Sequence, residues 1–292
     1  MLNHPREFYA WFAAIGLMAA SLLPAYADPI LHTDPRLQTL YKQEAARWEM
    51  WVGPGQKKKA EIVAEPIFRW QNLARVNGQS GAMYVWLFDR RPVVIGGVFT
   101  NPEGDKRMIV HELHALGPDR LYPVLREAEN AWQPTAGITM EPLPDSPKVE
   151  ETFARRTLQL RTIAHEFTAN SNDIEQRRWE LRLLPKPLYR YDMPQGPVID
   201  GALMAFVRDA GTDPEIVLML EARRDESGAA AWYFRGIRLS ISDLHLIHRN
   251  KQVWTSMRDD PREPLGNYDK TYLLHRDRVL ETLPAIEETP SK

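Results

Sequence analysis

Histidines and carboxylates, the residue types that bind metals or transfer protons, lie close together in "IVHELHAL", residues 109–116. This segment contains His111, Glu112 and His114. One large class of zinc hydrolases places two histidines four residues apart on a helix, so that both lie on one face. Here the spacing is three, and the preceding segments read as strands, which favours a third strand. A strand would point His111 away from the other two; only a helix would revive the zinc hypothesis.

Two other segments with histidine are candidates for a metal or proton-transfer site. His165 and Glu166 lie on a predicted helix without a suitably spaced partner. In "ISDLHLIHR", residues 241–249, His245 and His248 would be neighbours in a helix but would oppose each other in a strand. The sequence leaves both structures open. A hydrolase with an unrecognised His/carboxylate or metal site is therefore the alternative function. Its candidate ligands are His111, Glu112, His114, His245 and His248.

Signatures of familiar enzymes are missing from the chain. It has no G-x-S-x-G, no S-x-x-K, and no Walker or dinucleotide glycine pattern. The absence of cysteine excludes disulfides, thiol nucleophiles and iron–sulfur clusters. Asp213 and Glu215 in "GTDPE" are paired carboxylates of the kind that glycosidases use, but this motif is typical of a turn. We expect no cofactor, and the sequence does not decide whether the protein is an enzyme.

Arginine and aromatic residues recur in the strand-like second half of the chain. Arginine binds anionic groups through two parallel hydrogen bonds, and aromatic rings stack on ligands or partners. The alternative is a solvated sheet face in which arginine stems cover apolar surface. The candidate ligand-binding residues are Arg182, Arg190, Arg223, Arg235, Arg238, Tyr189 and Trp232. They favour non-catalytic binding of an anionic ligand or an envelope partner.

Charge and the N-terminus limit the partners and the compartment. With 37 basic and 39 acidic residues the net charge is −2, so we expect no nucleic-acid partner. Residues 1–27 have a short polar start with Arg6, an apolar stretch and a final Ala-Tyr-Ala, which is typical of a secretory signal peptide. The apolar stretch is short for a membrane span, although a retained anchor remains the alternative. The mature chain is predicted to be a soluble protein of the periplasm or cell envelope.

The spacing of apolar residues predicts an α+β fold. Asp34 caps a helix that runs to the glycines at 53 and 55, and three strands with turns between them follow up to residue 116. Ser146 is predicted to cap a second helix with an apolar face that includes Phe153 and Phe167. The remaining strands form one antiparallel sheet. We therefore expect antiparallel sheets with two main amphipathic helices, in two tightly joined helix-plus-sheet units without a residue-level repeat.

The prolines of "EPLPDSPK" mark the predicted boundary between these units. The expected organisation is a signal peptide at 1–27, a helix plus antiparallel meander at 28–144, a helix plus antiparallel sheet at 145–260, and a polar C-terminal tail at 261–292.

Several longer runs carry a family resemblance: "FRWQNLARVNGQSGAMYVWLFDRRP", "LQLRTIAHEF", "LRLLPKPLYRY" and "DGALMAFV…GTDPEIVLMLEAR". Together they resemble an uncharacterised family of exported bacterial proteins abundant in planctomycetes, over roughly Ile67 to Trp254. "LRLLPKPLYRY" and "GTDPE" are the most specific portions. The family's first hairpin turn reads Gly-Arg-Pro, where this chain has Arg90-Arg91-Pro92. The resemblance implies export and a shared fold, and it brings no catalytic residues.

Overall fold

A computed structural model describes most of the chain after the predicted signal peptide. The described residues are 34–53, 58–72, 79–103, 106–126, 132–134, 137–225, 227–258 and 270–283. They belong to one compact unit that begins at Thr33. Within these ranges no helix has the length and apolar character needed to cross a membrane. The predicted signal peptide lies outside the described residues.

Strands form most of the described structure, so the predicted α+β class was wrong: the fold is β-rich. The helices are α1 (Pro35–Ala46) and α2 (Phe153–His165). The strands of the first half are β1 (Trp48–Val52), β2 (Lys58–Lys59), β3 (Glu61–Ile62), β4 (Phe68–Asn72), β5 (Gln79–Phe88), β6 (Arg91–Glu103), β7 (Lys106–Ala115) and β8 (Leu121–Leu125). Those that follow are β9 (Glu141–Pro142), β10 (Phe167–Asn172), β11 (Arg178–Leu183), β12 (Tyr189–Tyr191), β13 (Val198–Val207), β14 (Pro214–Arg224), β15 (Ala230–Arg238), β16 (Asp243–His248), β17 (Lys251–Ser256) and β18 (Tyr272–Leu280).

Two large antiparallel sheets pack face to face. The first has the order β18-β7-β6-β5-β3, with β4 also on β5, and the second has the order β17-β16-β10-β11-β13-β14-β15-β9, with β12 on β13. Strands β2, β1 and β8 form a third, smaller sheet. Because side chains alternate along a strand, each large sheet has an inner and an outer apolar face. The inner faces share one core, which contains Val85 and Ile95 opposite Leu203 and Val217. α1 covers the outer face of the first sheet and α2 that of the second.

The first helix is shorter than predicted. α1 ends at Ala46, and Trp48–Val52 forms β1 rather than further helical turns. The aromatic residues of this segment have a spacing that also suits a helix, but β1 pairs along its whole length with β8 from much later in the chain. Tertiary pairing therefore overrides the local pattern.

The second helix starts later than predicted. α2 begins at Phe153 rather than just after Ser146, because Thr152 is the N-cap and its hydroxyl accepts the N–H of Arg155 at 3.3 Å. Phe153 was expected in the core and is exposed. Phe167, expected on the same helical face, belongs to β10.

Each half of the chain repeats the same order of elements and strand pairings. A helix is followed by a strand that pairs with a later strand of its half, β1 with β8 and β10 with β16. A meander of three long strands then follows, β5–β7 in one half and β13–β15 in the other. A strand from elsewhere in the chain lies at the meander edge, β18 beside β7 and β9 beside β15. The topology is therefore duplicated, although the sequence showed no residue-level repeat.

Backbone hydrogen bonds within each half show which residues of the two halves correspond. In each half a connecting segment donates two N–H groups, four residues apart, to the first meander strand. The bonds are Val63 N to Val85 O and Ile67 N to Met83 O in the first half, and Leu184 N to Ala205 O and Leu188 N to Leu203 O in the second. Val85 therefore corresponds to Ala205. The unbroken pairing across the centres of both meanders extends the correspondence to the second and third strands.

A glycine beneath an aromatic ring occupies the same position in both halves. A Cβ atom on Gly81 would lie 2.5 Å from ring carbons of Trp70, and one on Gly201 would lie 2.4 Å from those of Tyr191. Only glycine leaves room for the ring at this place. The repeat thus conserves backbone pairing and local space rather than side-chain identity, which explains why the sequence did not reveal it.

The predicted boundaries do not separate the two sheets. β9 lies in the segment assigned to the first unit but pairs with β15 of the second sheet. The predicted tail, 261–292, contains β18, which pairs with β7 of the first sheet. Each sheet is therefore completed at one edge by a strand from the segment assigned elsewhere, and the two halves cannot be cut apart at residue 144 without removing an edge strand.

Candidate functional site

The predicted ligand-binding residues do not form one site. Arg190 donates to Asp200 at 2.6 Å on the face that α2 covers. Arg182 donates to the backbone oxygen of Gly211 at 3.1 Å, near the surface. Trp232 is fully buried in the core beneath α2. These three residues support the second sheet and its helix, and they do not share a cavity.

Three more of the predicted residues have structural partners of their own. Arg235 is paired with Glu141 of β9, which ties that short strand to the sheet. Arg238 donates through Nε to the hydroxyl of Ser256 at 2.9 Å. Tyr189 stacks on the neighbouring tyrosine of β12, with ring centroids 6.4 Å apart. Of the predicted set, this leaves Arg223, which does line a cavity.

The predicted strand at "IVHELHAL" is confirmed as part of β7. His111 faces α1, whereas Glu112 and His114 face the other way, as a strand requires. His245 and His248 lie in β16, also a strand, three residues apart and hence on opposite faces. The five predicted metal ligands therefore do not converge. Within the described part of the chain, no group of three possible metal ligands contains two of them.

His111 instead meets two carboxylates that the sequence did not single out. Its Nε2 atom lies 3.5 Å from Glu44 Oε2 of α1 and 3.9 Å from Asp277 Oδ2 of β18. Arg47 Nη1 lies 2.7 Å from Glu44 and 2.6 Å from Asp277, and Arg278 is paired with both carboxylates. We call these five residues the ionic cluster. The three histidine and carboxylate groups are close enough together to hold a metal ion.

The chemistry of the ionic cluster does not suit a metal. The indole N–H of Trp48 donates to Nδ1 of His111 at 3.1 Å. An indole nitrogen is a donor only, so Nδ1 keeps its lone pair for this bond and the ring proton sits on Nε2. A metal-bound histidine needs the reverse arrangement, with a lone pair on the ligating nitrogen and the other N–H donated outward. Two guanidinium groups already neutralise the two carboxylates. The cluster also offers no free nitrogen lone pair for a general base.

The carboxylates of the ionic cluster are held in their charged form. Burial alone would raise the pKa of Glu44, but His111 and the two arginines outweigh it and bring that pKa to about 2. His111, His275 and Arg47 hold the pKa of Asp277 well below its usual range. The cluster therefore joins α1, β7 and β18 through two buried carboxylates that stay charged, while the arginines extend toward the surface and Arg278 is 45% exposed.

The second half of the chain fills the corresponding place with apolar side chains. The last residues of α1 and α2, the first residues of β1 and β10, and the strand register of the two meanders show which positions of the two halves correspond. The matching residues are Glu44 and Ile163, Trp48 and Phe167, and His111 and Phe234. The two phenylalanine rings lie 5.5 Å apart between centroids, much as Trp48 and His111 do at 6.0 Å. This fold therefore does not require charge at this place.

His114 gives a pH-dependent prediction. Burial lowers the pKa of its imidazole from 6.5 to about 4. Between pH 6.5 and 4 the unfolded chain binds a proton at this histidine that the folded chain does not. The contribution of His114 to the free energy of unfolding is therefore complete above pH 6.5 and is lost as pH falls to 4. A shift of that size corresponds to about 3 kcal/mol. We expect His114→Ile, which introduces the residue found at the corresponding Ile237, to remove this slope in urea unfolding between pH 7 and 4.

The matched control is His165→Gln, which changes an exposed histidine of α2. It should retain the pH dependence of the unsubstituted protein. An unchanged slope in His114→Ile would show that other groups cause the acid sensitivity.

A cleft of about 350 Å³ opens at one end of the two sheets, and Arg91 and Arg223 line it. Its walls are mostly apolar; they include Phe88, Val93, Ile138, Met140, Met193 and Val198. Asp89 and Asp119, both exposed, lie at its rim. We call it the arginine cleft. Its volume lies in the range of small-molecule sites, which combine apolar walls with a few placed polar groups.

A buried carboxylate holds the charges of the arginine cleft in place. Glu221 is fully buried, and its Oε1 accepts from Arg91 Nε at 2.8 Å and from the hydroxyl of Tyr191 at 2.8 Å. Burial and the adjacent carboxylate raise the pKa of Tyr191 well above 10, so this tyrosine stays a donor. Arg223 Nε lies 3.8 Å from Glu221 Oε2, beyond hydrogen-bond distance, and its guanidinium stacks over Tyr233.

The hairpin turn beside the cleft has strained backbone. Asp89 and Arg90 both have positive φ, 49° and 68°, in the two-residue turn between Phe88 and Arg91. This is the hairpin geometry for which glycine or asparagine is normally chosen. Two non-glycine residues in the left-handed region store local strain, which is common near ligand sites.

A second cleft of about 150 Å³ occupies the corresponding position in the other half. Pro92 pairs with Leu87 as Pro214 pairs with Val207, so Arg91 corresponds to Asp213, and the meander register matches Arg223 with Asn101. Asp213 and Asn101 line the second cleft together with Glu112 and Glu215. The duplicated fold therefore tolerates acidic or neutral residues where the arginine cleft has two guanidinium groups.

Two of the site residues that are absent from the predicted sets carried a local signal. Glu221 interrupts the otherwise apolar run "IVLMLEA", and Glu44 follows Leu37, Leu40 and Tyr41 on the apolar face of α1. A charged residue at a core position is rarely buried without a partner. Arg91 and Asp277 carried no comparable signal, since each lies in a polar stretch.

Comparisons with known proteins add no family: no family model, curated protein or solved structure matches the chain. The family resemblance of the sequence therefore stays a prediction.

Proposed function

We propose that this chain is an exported protein of the periplasm or cell envelope that binds a small anionic ligand in the arginine cleft without transforming it. The observation that carries the proposal is the pair of guanidinium groups, Arg91 and Arg223, in a mostly apolar cleft of about 350 Å³. In such surroundings a charge-assisted hydrogen bond is stronger than at an open surface.

The comparison of the two halves supports a role in binding rather than in folding. If the fold required cations at these positions, the second cleft would carry them too, yet it has Asp213 and Asn101. Arg91 is fixed by Glu221, whereas Arg223 has no hydrogen bond to that carboxylate at 3.8 Å. One guanidinium is thus held by the protein, and the other can turn its donors to a ligand. Export is supported by the signal-peptide pattern of residues 1–27.

The proposal predicts that an anion stabilises the protein through Arg223. A ligand that binds only the folded state raises the melting temperature, by an amount that grows with its concentration over Kd. In thermal unfolding with a panel of small organic carboxylates, phosphates and sulfonates, at least one anion should raise Tm. Arg223→Ala should lose most of that shift, because it removes a charged donor from an apolar site.

The matched control is Arg224→Ala. Arg224 is the next residue of β14; it is exposed and points to the other face of the strand. It should keep the full ligand-induced shift. If every anion shifts Tm equally in the unsubstituted protein and in Arg223→Ala, the proposed function is wrong.

A further inference from the structure

The charge balance of the arginine cleft points to one class of ligand: a monocarboxylate with a small apolar body. We infer this from the charges, the walls and the volume of the cleft. The inference rests on the proposed anion binding and makes it specific.

The charges inside the cleft leave room for one negative charge. Two guanidinium groups, of Arg91 and Arg223, face the single buried carboxylate of Glu221. The side chain of Arg223 is 31% exposed and its Nε lies 3.8 Å from Glu221 Oε2, so the cleft holds one more cation than buried anions. A ligand with one negative charge would balance this excess and accept the hydrogen bonds that Arg223 does not donate to Glu221.

The rim of the cleft opposes a second negative charge. Asp89 and Asp119 both line it and are exposed. A phosphate monoester carries nearly two charges near neutral pH, so it would bring one charge more than the interior balances and would meet two carboxylates at the entrance. A carboxylate carries one charge, and its two oxygens match the paired N–H groups of one guanidinium.

The walls and the volume fix the rest of the ligand. The side chains along the walls are chiefly aliphatic, aromatic or methionine, and they favour a hydrocarbon body. A volume of about 350 Å³ suits a small organic molecule, such as one with a phenyl ring, a short chain and a charged head group.

Three compounds with one phenyl group and different head groups test the inference. The probes are 3-phenylpropionate, 2-phenylethyl phosphate and 3-phenylpropylamine, titrated into the full chain by isothermal titration calorimetry. We expect 3-phenylpropionate to bind tightest and the amine not at all. Arg223→Ala should weaken binding of the carboxylate about 10- to 100-fold. Arg223→Lys should restore part of the loss, because it keeps the charge but not the paired donors. Arg224→Ala should bind like the unsubstituted protein.

The outcomes separate the ligand class from the function. If the phosphate binds more tightly than the carboxylate and depends on Arg223, the cleft binds anions but the monocarboxylate inference is overturned. The same holds if another anion of the thermal panel binds through Arg223 while 3-phenylpropionate does not. Anion binding in this cleft is itself refuted if the amine binds as tightly as the carboxylate. It is also refuted if Arg223→Ala leaves the affinities for both the carboxylate and the phosphate unchanged.

Discussion

Glu44→Ala should lower the free energy of unfolding by about 3 kcal/mol at neutral pH. The Glu44 side chain is almost fully buried and neutralises Arg278 and Arg47. Removing Glu44 leaves both arginines with Asp277 alone; loss of a buried ion-pair partner typically costs about 3–5 kcal/mol, and the exposure of Arg278 places this case at the lower end. The pKa of about 2, against 4.5 in the unfolded chain, gives a figure of similar size. Urea unfolding monitored by tryptophan fluorescence measures the loss.

The same pKa shift sets the pH range of this effect. A carboxylate whose pKa is lower in the folded state stabilises the fold fully above pH 4.5, and this contribution is lost as pH falls to about 2. The difference between the unsubstituted protein and Glu44→Ala should therefore shrink over that range. Glu65→Ala is the matched control, since Glu65 forms an exposed pair with Lys42 at 2.5 Å. It should cost less than about 1 kcal/mol.

Replacing the ionic cluster as a whole should lower the free energy of unfolding much less than the single substitutions do when their effects are added. The second half shows which apolar residues fit at three of these positions, so we would combine Glu44→Ile, Trp48→Phe and His111→Phe with Asp277→Leu, which removes the second carboxylate. Arg47 and Arg278 lie nearer the surface and can then turn to water. Well-packed apolar residues often replace a buried ionic set at no loss of stability. A combined variant as unstable as the summed single variants would show that the cluster is needed for folding.

How far the sequence predicts this fold depends on the range of the interactions. The three strands of the first meander, and the opposite facing of His111 and His114, follow from local alternation and turn residues. β1 does not, because its aromatic spacing also suits a helix and only pairing with distant β8 decides the matter. The duplication was hidden because equivalent positions conserve space and pairing, as at Gly81 and Gly201, rather than side chains.

The sites were less predictable than the strands. Glu44 and Arg278 are 234 positions apart, and Arg91 and Glu221 are 130 apart. No local pattern connects residues at such separations, since the pairing of whole sheets brings them together. Arg223, which lines the arginine cleft, was selected by its type and setting alone, and the same reasoning also selected six residues that serve as structural partners or core.

Glu221→Ala should be among the most destabilising single substitutions in the second sheet. It would leave the buried guanidinium of Arg91 and the buried hydroxyl of Tyr191 without their shared acceptor. A charge left unpaired in such a place typically costs about 3–5 kcal/mol, and a lost acceptor for the tyrosine adds to it. The matched control is Glu180→Ala, whose exposed pair with Arg178 has the same 2.8 Å separation. It should cost less than about 1 kcal/mol.

A double-mutant cycle tests the physical reason for this prediction. Arg91→Met and Glu221→Met should each destabilise strongly, while the two together should be more stable than their sum, because the second change removes the charge that the first left unpaired. Urea unfolding of the four proteins gives the coupling energy, expected at about 2 kcal/mol or more. Additive effects would mean that Arg91 and Glu221 contribute by packing alone. Arg91 would then not be held in the cleft by its carboxylate, and the charge balance that selects a monoanion would lose its basis.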